Sequence, residues 1–187
     1  MLGALLGDFV FGRQGLERFG DEERREILLH RRVDRFTDSH PDIVALRALF
    51  PEGPRRFAGI ALDVYFDHLL ARDWARWAGG DGHPDAALER FAKRAYGILE
   101  SRLHELPPRL QAIVPAMRDR DWLTGYRDRA SVDRAVSRIA HRLSRHGERL
   151  VACLPHLRWL ELQGEAAFER FYPALIDFAR SERATLD

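Results

Sequence analysis

Apolar side chains recur at three- and four-residue spacing along nearly all of the 187 residues, and no run alternates with period two. That spacing lays an apolar stripe along one side of a helix, whereas a half-buried strand needs strict alternation. Ala, Leu, Arg and Glu are plentiful while Val and Ile are sparse, a usage that suits helices. The expected fold class is therefore all-α. Breakers and caps divide the chain. Gly12 to Gly20 reads as a loop, Asp21 caps a helix running to about Asp38, and Ser39-His40-Pro41 starts another that stops near Pro51. A long helix is predicted from Pro54 through Trp77, closed by Gly79-Gly80-Asp81-Gly82, and Pro84 opens one to about Leu106. Pro107-Pro108 and Pro115 bracket a short helix, Ser131 to Leu150 reads as one amphipathic helix, and a last helix spans about Leu157 to Arg183. Along that last helix Trp159, Phe168, Phe171, Tyr172, Leu175 and Phe178 have core spacing. No repeat, low-complexity tract or long linker intervenes, so residues 1–187 are expected to form a single compact helical bundle.

Several function classes drop out at once. Cys153 is the only cysteine, which excludes a disulfide scaffold and a cysteine-based zinc finger, and its apolar neighbours predict a buried, inert thiol. No segment approaches the roughly 18 uninterrupted apolar residues of a membrane span. The apolar opening run carries Asp8 and has no basic segment before it, unlike a signal peptide. A cytoplasmic location is the expectation. There is no Walker loop, dinucleotide fingerprint or Gly-x-Ser-x-Gly elbow.

Polar, metal-competent side chains concentrate in the N-terminal third. In Leu29 to Asp38, His30, Asp34 and Asp38 are spaced i, i+4, i+8, so they fall within about 80° of arc on one helix face. One imidazole and two carboxylates aligned this way can point at one ion. In Asp63-Val64-Tyr65-Phe66-Asp67-His68, the two aspartates again share a face and His68 lies on its flank, among apolar Ile60, Leu62, Val64, Phe66, Leu69 and Leu70. Burying them uncompensated would be costly, and arginine partners or a metal could compensate. Asp8 adds one more acid in an apolar segment. Oxygen-rich donors with a few histidines suit Mn²⁺, Mg²⁺ or Fe²⁺ better than structural zinc. Such an ion typically polarises a phosphoryl oxygen and activates a water near neutral pH. Each aspartate taken singly also fits a solvated or arginine-paired surface group, and each histidine a satisfied core residue.

The net charge is only +1, but Lys93 is the sole lysine among 30 basic residues. Arg134, Arg138, Arg142, Arg145 and Arg149 fall within about 80° of one helical face, opposite Val132, Val136, Ile139 and Leu143. From Arg118 to Arg149 nine arginines face five acids, a local net of +4. This is either a solvated face or a docking surface for an acidic macromolecule, read through bidentate carboxylate or phosphate contacts. Few aromatics interleave with it, so an acidic protein fits at least as well as nucleic acid.

The order of these motifs resembles a known family. Gly7-Asp8-Phe9-Val10, then His30-Arg31-Arg32-Val33-Asp34-Arg35-Phe36-Thr37-Asp38-Ser39-His40-Pro41, then Gly59 through Arg72 with Trp74, are similar to the acyl carrier protein phosphodiesterases. Asp121-Trp122-Leu123-x-x-Tyr126 and Arg170-Phe171-Tyr172-Pro173 match more loosely. The resemblance implies an all-α fold related to the HD-type metallophosphohydrolases with permuted motifs. It also implies a Mn²⁺-dependent removal of 4′-phosphopantetheine from holo-acyl carrier protein, an acidic partner for the arginines. Carried over by residue, Asp8, His30, Asp34, Asp63, Asp67 and His68 form the metal shell, with Asp38 a ligand or a group that orients one. Asp67, His68 and Arg31 are the catalytic candidates, Arg31 stabilising negative charge on phosphorus. Family members carry a Met-Asn-x-Leu-Ala-His segment ahead of Gly-Asp-Phe that this sequence lacks: either the start is assigned too late, or the domain is truncated there by a helix turn and one histidine. Two other readings stay open: an HD-like phosphohydrolase of nucleotides or other phosphoesters, and a non-catalytic helical module that docks an acidic protein.

Overall fold

Three acids in a row, Asp21, Glu22 and Glu23, occupy the first turn of the helix that follows Gly20, where they complement the positive end of its dipole. The computed structural model of the chain describes residues 2–7, 9–10, 12–78 and 84–186, and at 4, 78, 84 and 85 the backbone only. Asp8 and the predicted Gly79-Gly80-Asp81-Gly82 stop lie outside the described residues. The helices in chain order are α1 (Leu2–Leu6), α2 (Gly12–Leu16), α3 (Asp21–Ser39), α4 (Pro41–Ala48), α5 (Glu52–Arg55), α6 (Ala58–Arg72), α7 (Trp74–Ala78) and α8 (Pro84–Ser101). They continue with α9 (Pro108–Asp119), α10 (Trp122–Gly125), α11 (Ala130–Arg142), α12 (Gly147–Val151), α13 (Leu154–Trp159) and α14 (Glu161–Leu186). No strand occurs among the described residues, and the all-α expectation holds.

His40 ends α3 and starts α4. Its backbone is extended, as the residue before a proline should be, and its Nδ1 accepts from the Asp42 N–H at 3.3 Å. Helix α6 is the centre of the larger core. Ala61, Leu62, Tyr65, Phe66 and Leu69 are buried against Phe50, Val132, Val136, Leu157, Phe168 and Phe171. A second, smaller core joins Leu2 and Leu6 of α1, Ile27 of α3, Leu99 of α8 and Leu110 and Val114 of α9.

The structure corrects several boundaries. The predicted 54–77 helix is three pieces, α5, α6 and α7. Pro115 and Pro173 sit inside α9 and α14 rather than ending them, both at exposed positions where water can replace the missing donor. The Gly12 to Gly20 loop contains α2. The expected 131–150 helix stops at Arg142: Leu143 is extended and His146 is left-handed at φ 64°. The chain then folds back so closely that a Cβ on Gly147 would overlap the Ala140 carbonyl oxygen. Trp159, expected in the core, is 69% exposed, because Leu157 and Leu160 take the buried places and the break at Leu160 resets the helical register. Cys153 is buried as expected, and burial pushes its thiol up to about 11.

These contacts make a paired stability test. Gly147→Ala forces the Ala140 overlap and is expected to destabilise by about 1–3 kcal/mol. Gly97→Ala lies within α8 with nothing near its Cβ position, and should stabilise by up to about 1 kcal/mol. Urea midpoints that move the same way for both would refute this packing.

Candidate active site

Where the two cores meet, a cavity of about 390 Å³ is lined by side chains from seven helices. Helix α3 contributes His30 and α6 contributes Asp67. Helix α11 contributes Arg138 and Arg142, and Trp122 and Tyr126 close the wall between them. Leu99, Leu110, Ile113 and Met117 of α8 and α9 supply an apolar floor. Groups from sequence positions 30, 67, 122 and 138 thus share one enclosure, which helical periodicity alone could not reveal.

The spacing argument for α3 holds for its first pair. His30 Nε2 lies 3.3 Å from an Asp34 carboxylate oxygen. Gly7 packs flat on this imidazole, and a Cβ there would overlap the ring. Asp38, one turn further on, is turned to Arg47 of α4 at 2.9 Å, so the three-residue face does not act as one unit. Arg31 donates from Nη2 to the Val10 carbonyl at 2.7 Å, tying α3 to the segment after α1.

On α6 the two aspartates were expected among apolar neighbours. The structure instead gives them the exposed stripe of the helix and buries His68. Ala61, Leu62, Val64, Tyr65 and Phe66 face inward and leave positions 63 and 67 outward. Asp67 nonetheless reaches the cavity wall. Its charge adds to the effect of burial in raising two phenols, Tyr126 to about 12 and Tyr172 also above its ordinary value.

The His68 Nδ1 is 2.8 Å from the Tyr126 backbone carbonyl, a contact that sets Nδ1 as the protonated nitrogen and leaves the Nε2 lone pair available. Burial holds the His68 pKa below its ordinary 6.5, against the opposing pull of that carbonyl. The unfolded chain therefore takes up a proton at this residue before the folded one does. Stability is full above pH 6.5 and is lost as pH falls through the folded value, with a slope of up to about 1.4 kcal/mol per pH unit from this group. His68→Asn keeps a donor for the carbonyl and should flatten that slope. Urea titrations at stepped pH below 6.5 check it, and an unchanged slope in the variant would count against the assignment.

The arginine stripe divides with its helix. Arg134, Arg138 and Arg142 lie on α11, Arg145 in the bend and Arg149 on α12. Arg134 pairs with Asp128 at 2.9 Å. Arg138 turns toward the cavity with its guanidinium 4.3 Å from the Trp122 ring centre, and Arg142 lies 5.8 Å from the same ring. Trp122 is itself placed by a small lock. Asp121 is left-handed at φ 42°, the Tyr96 hydroxyl donates to Asp121 Oδ1 at 3.1 Å, and it accepts from the Leu123 N–H at 2.8 Å. The Asp121 to Tyr126 run was the sequence signal for this wall, although its place beside His30 and Asp67 was not foreseen.

A family model for acyl carrier protein phosphodiesterase matches residues 1–175. The chain belongs to the acyl carrier protein phosphodiesterase family. It is 33% identical over 187 residues to the acyl carrier protein phosphodiesterase of Pectobacterium atrosepticum, covering 98% of this chain and 91% of that one. The Serratia proteamaculans relative of the same name is 32% identical with the same coverage, and that of Photorhabdus laumondii 30% identical over 97% of this chain and 88% of its own. No solved structure matches. An acyl carrier protein phosphodiesterase family member is a phosphodiester hydrolase by class. No helix among its described residues is long and apolar enough to cross a membrane.

The resemblance implies a divalent ion in this family member. Among the described residues no group of three or more His, Cys, Asp or Glu side chains is placed to hold an ion. The chemistry of the donor set does fit: an imidazole beside a carboxylate at 3.3 Å, Asp67 on the same cavity, and a neutral buried imidazole with one nitrogen tied to a carbonyl. Hard divalent ions take such mixtures, and a histidine ligand is ordinarily oriented by a hydrogen bond from its other nitrogen.

Proposed function

We propose that this chain is a divalent-metal-dependent phosphodiesterase that removes 4′-phosphopantetheine from holo-acyl carrier protein, hydrolysing the phosphodiester to the carrier's serine. The observation that carries it is the shared cavity, where His30 and Asp67 from two separated motifs meet Arg138 and Arg142. We further propose that the helical fold is a permuted relative of the HD metallophosphohydrolases. Asp8, His30, Asp34, Asp63, Asp67 and His68 would hold the ion, with Mn²⁺ the preferred species and Mg²⁺ or Fe²⁺ the alternatives. Bound there, it would polarise a phosphoryl oxygen and acidify a coordinated water.

The protein's own groups supply the rest. The Asp67 carboxylate accepts a hydrogen bond from the attacking water and orients it toward phosphorus. His68 keeps its Nε2 lone pair free because burial disfavours its charged form and Tyr126 holds Nδ1. Arg31 has one N–H engaged at Val10 and four more to offer the negative charge that grows on phosphorus. Attack forms the new P–O bond as the serine oxygen leaves with a proton, giving apo-carrier and 4′-phosphopantetheine. The exposed Arg134, Arg145 and Arg149 face the acidic carrier, and their charge steers the encounter.

The direct test incubates holo-carrier with the full chain and Mn²⁺ and follows both products by mass. Release of 4′-phosphopantetheine with matching apo-carrier is expected. Intact holo-carrier across Mn²⁺, Mg²⁺ and Fe²⁺ would overturn the reading.

A further inference from the structure

Many of this protein's arginines are paired with acids. Arg32, Arg47, Arg72, Arg76, Arg102 and Arg118, among others, each meet a carboxylate. Arg138 and Arg142 do not: among the described residues neither has a carboxylate within ion-pair distance. Arg138 is half-buried, and that desolvation, with the nearby cations Arg142, Arg134 and Arg120 adding to it, holds its guanidinium below the ordinary arginine value. A half-buried cation among cations is costly unless an anion completes the site. Beside it, the Trp122 Nε1–H is buried and has no acceptor among the described residues. The half-buried Arg138, the exposed Arg142 and one indole donor thus line the wall of a cavity whose floor is Leu99, Leu110, Ile113 and Met117.

We infer that Arg138, Arg142 and Trp122 form a phosphate-ester site inside the cavity and so bind the prosthetic group, not the surface of the carrier. The inference rests on the phosphodiesterase reading and sharpens it, dividing the arginine stripe by function. Guanidinium forks match phosphate oxygens bidentately, stacking on the indole fixes their planes, and the indole N–H adds a third donor. The apolar floor suits an arm that carries methyl groups and amides rather than a carrier's charged surface, which cannot enter 390 Å³. Arg145 and Arg149, outside the cavity lining and exposed, remain for the carrier.

Calorimetric titration of the full chain separates the two roles, with 4′-phosphopantetheine, pantetheine and apo-carrier as probes. The wild type is expected to bind 4′-phosphopantetheine at least tenfold more tightly than pantetheine. Arg138→Met should erase that preference and leave apo-carrier affinity within twofold. Arg149→Ala should weaken apo-carrier and leave 4′-phosphopantetheine within twofold. Arg138→Lys, the milder change should Arg138→Met fold poorly, keeps the charge without the planar fork and should retain only part of the preference. Equal wild-type affinity for 4′-phosphopantetheine and pantetheine would overturn the inference, as would an Arg138 variant that loses apo-carrier as strongly as the phosphorylated arm. A wild type that binds the phosphate through Arg138 yet leaves holo-carrier intact would support this site and sink the hydrolase reading. Hydrolysis of holo-carrier without any phosphate preference would do the reverse.

Discussion

Asp67→Ala is expected to slow holo-carrier hydrolysis by about 10²–10³-fold, the loss typical of removing one preorganised electrostatic group from a reacting centre. The fold should hardly register the change. Asp67 lies on the exposed stripe of α6, and exposed charges ordinarily contribute about 1 kcal/mol or less. Asp67→Asn separates shape from charge: it fills the same space, and if the carboxylate does the chemistry it should be nearly as slow as alanine. A structural readout accompanies the kinetics. The Asp67 charge helps to raise Tyr126 to about 12, so either variant should move that phenol's absorbance titration downward. Hydrolysis within tenfold of wild type in both variants would remove Asp67 from the mechanism. A tyrosine titration that stays in place would show that Asp67 does not face the cavity as described.

What could be read from the linear chain was what local chemistry decides. Asp21 and Pro41 mark the starts of α3 and α4 because dipole and proline effects act within one turn, although Gly20 and not Asp21 is the N-cap of α3. The inward face of α11 follows from Val132 and Val136 in a helical period, and both are fully buried. The break after Arg142 was hidden, since the apolar period runs on through Leu150 and the reversal depends on Gly147 meeting Ala140 in space. Trp159 failed for a related reason: one non-helical residue at Leu160 shifts the register of everything before it. The candidate site divides the same way. His30 and Asp34 are one helical turn apart, so their pairing was legible. The partnership of Asp38 with Arg47, and of His30 and Asp67 with Trp122 and Arg138, depends on how distant helices cross. Asp63 and Asp67 show the converse error, where an apolar neighbourhood in sequence became an exposed polar stripe once nine residues of α6 turned inward.

Chelation of the purified protein should abolish hydrolysis, and Mn²⁺ should restore it. The informative readouts are those that do not depend on turnover. Elemental analysis before and after chelation is expected to show a divalent metal that leaves with activity. Rebinding should also stabilise the fold, because a ligand that binds only the native state adds about 2.7 kcal/mol when present at about 100 times its dissociation constant. Two aspartates of α3 then serve as internal comparison. Asp34 lies 3.3 Å from His30 Nε2, whereas Asp38 is engaged by Arg47 at 2.9 Å. Asp34→Ala should therefore lower metal content and the Mn²⁺-dependent rise in melting temperature severely, while Asp38→Ala should reduce them far less. Binding must also compete with protons, since an imidazole ligand has to be neutral. Metal content should accordingly fall as the pH drops through the acidic range, and that loss should coincide with the loss of the melting-temperature rise. A protein that carries no metal when purified, shows no melting shift with Mn²⁺ and hydrolyses holo-carrier in excess chelator would leave the acid and imidazole groups with a different task, in which the His30–Asp34 pair acts on the water by itself.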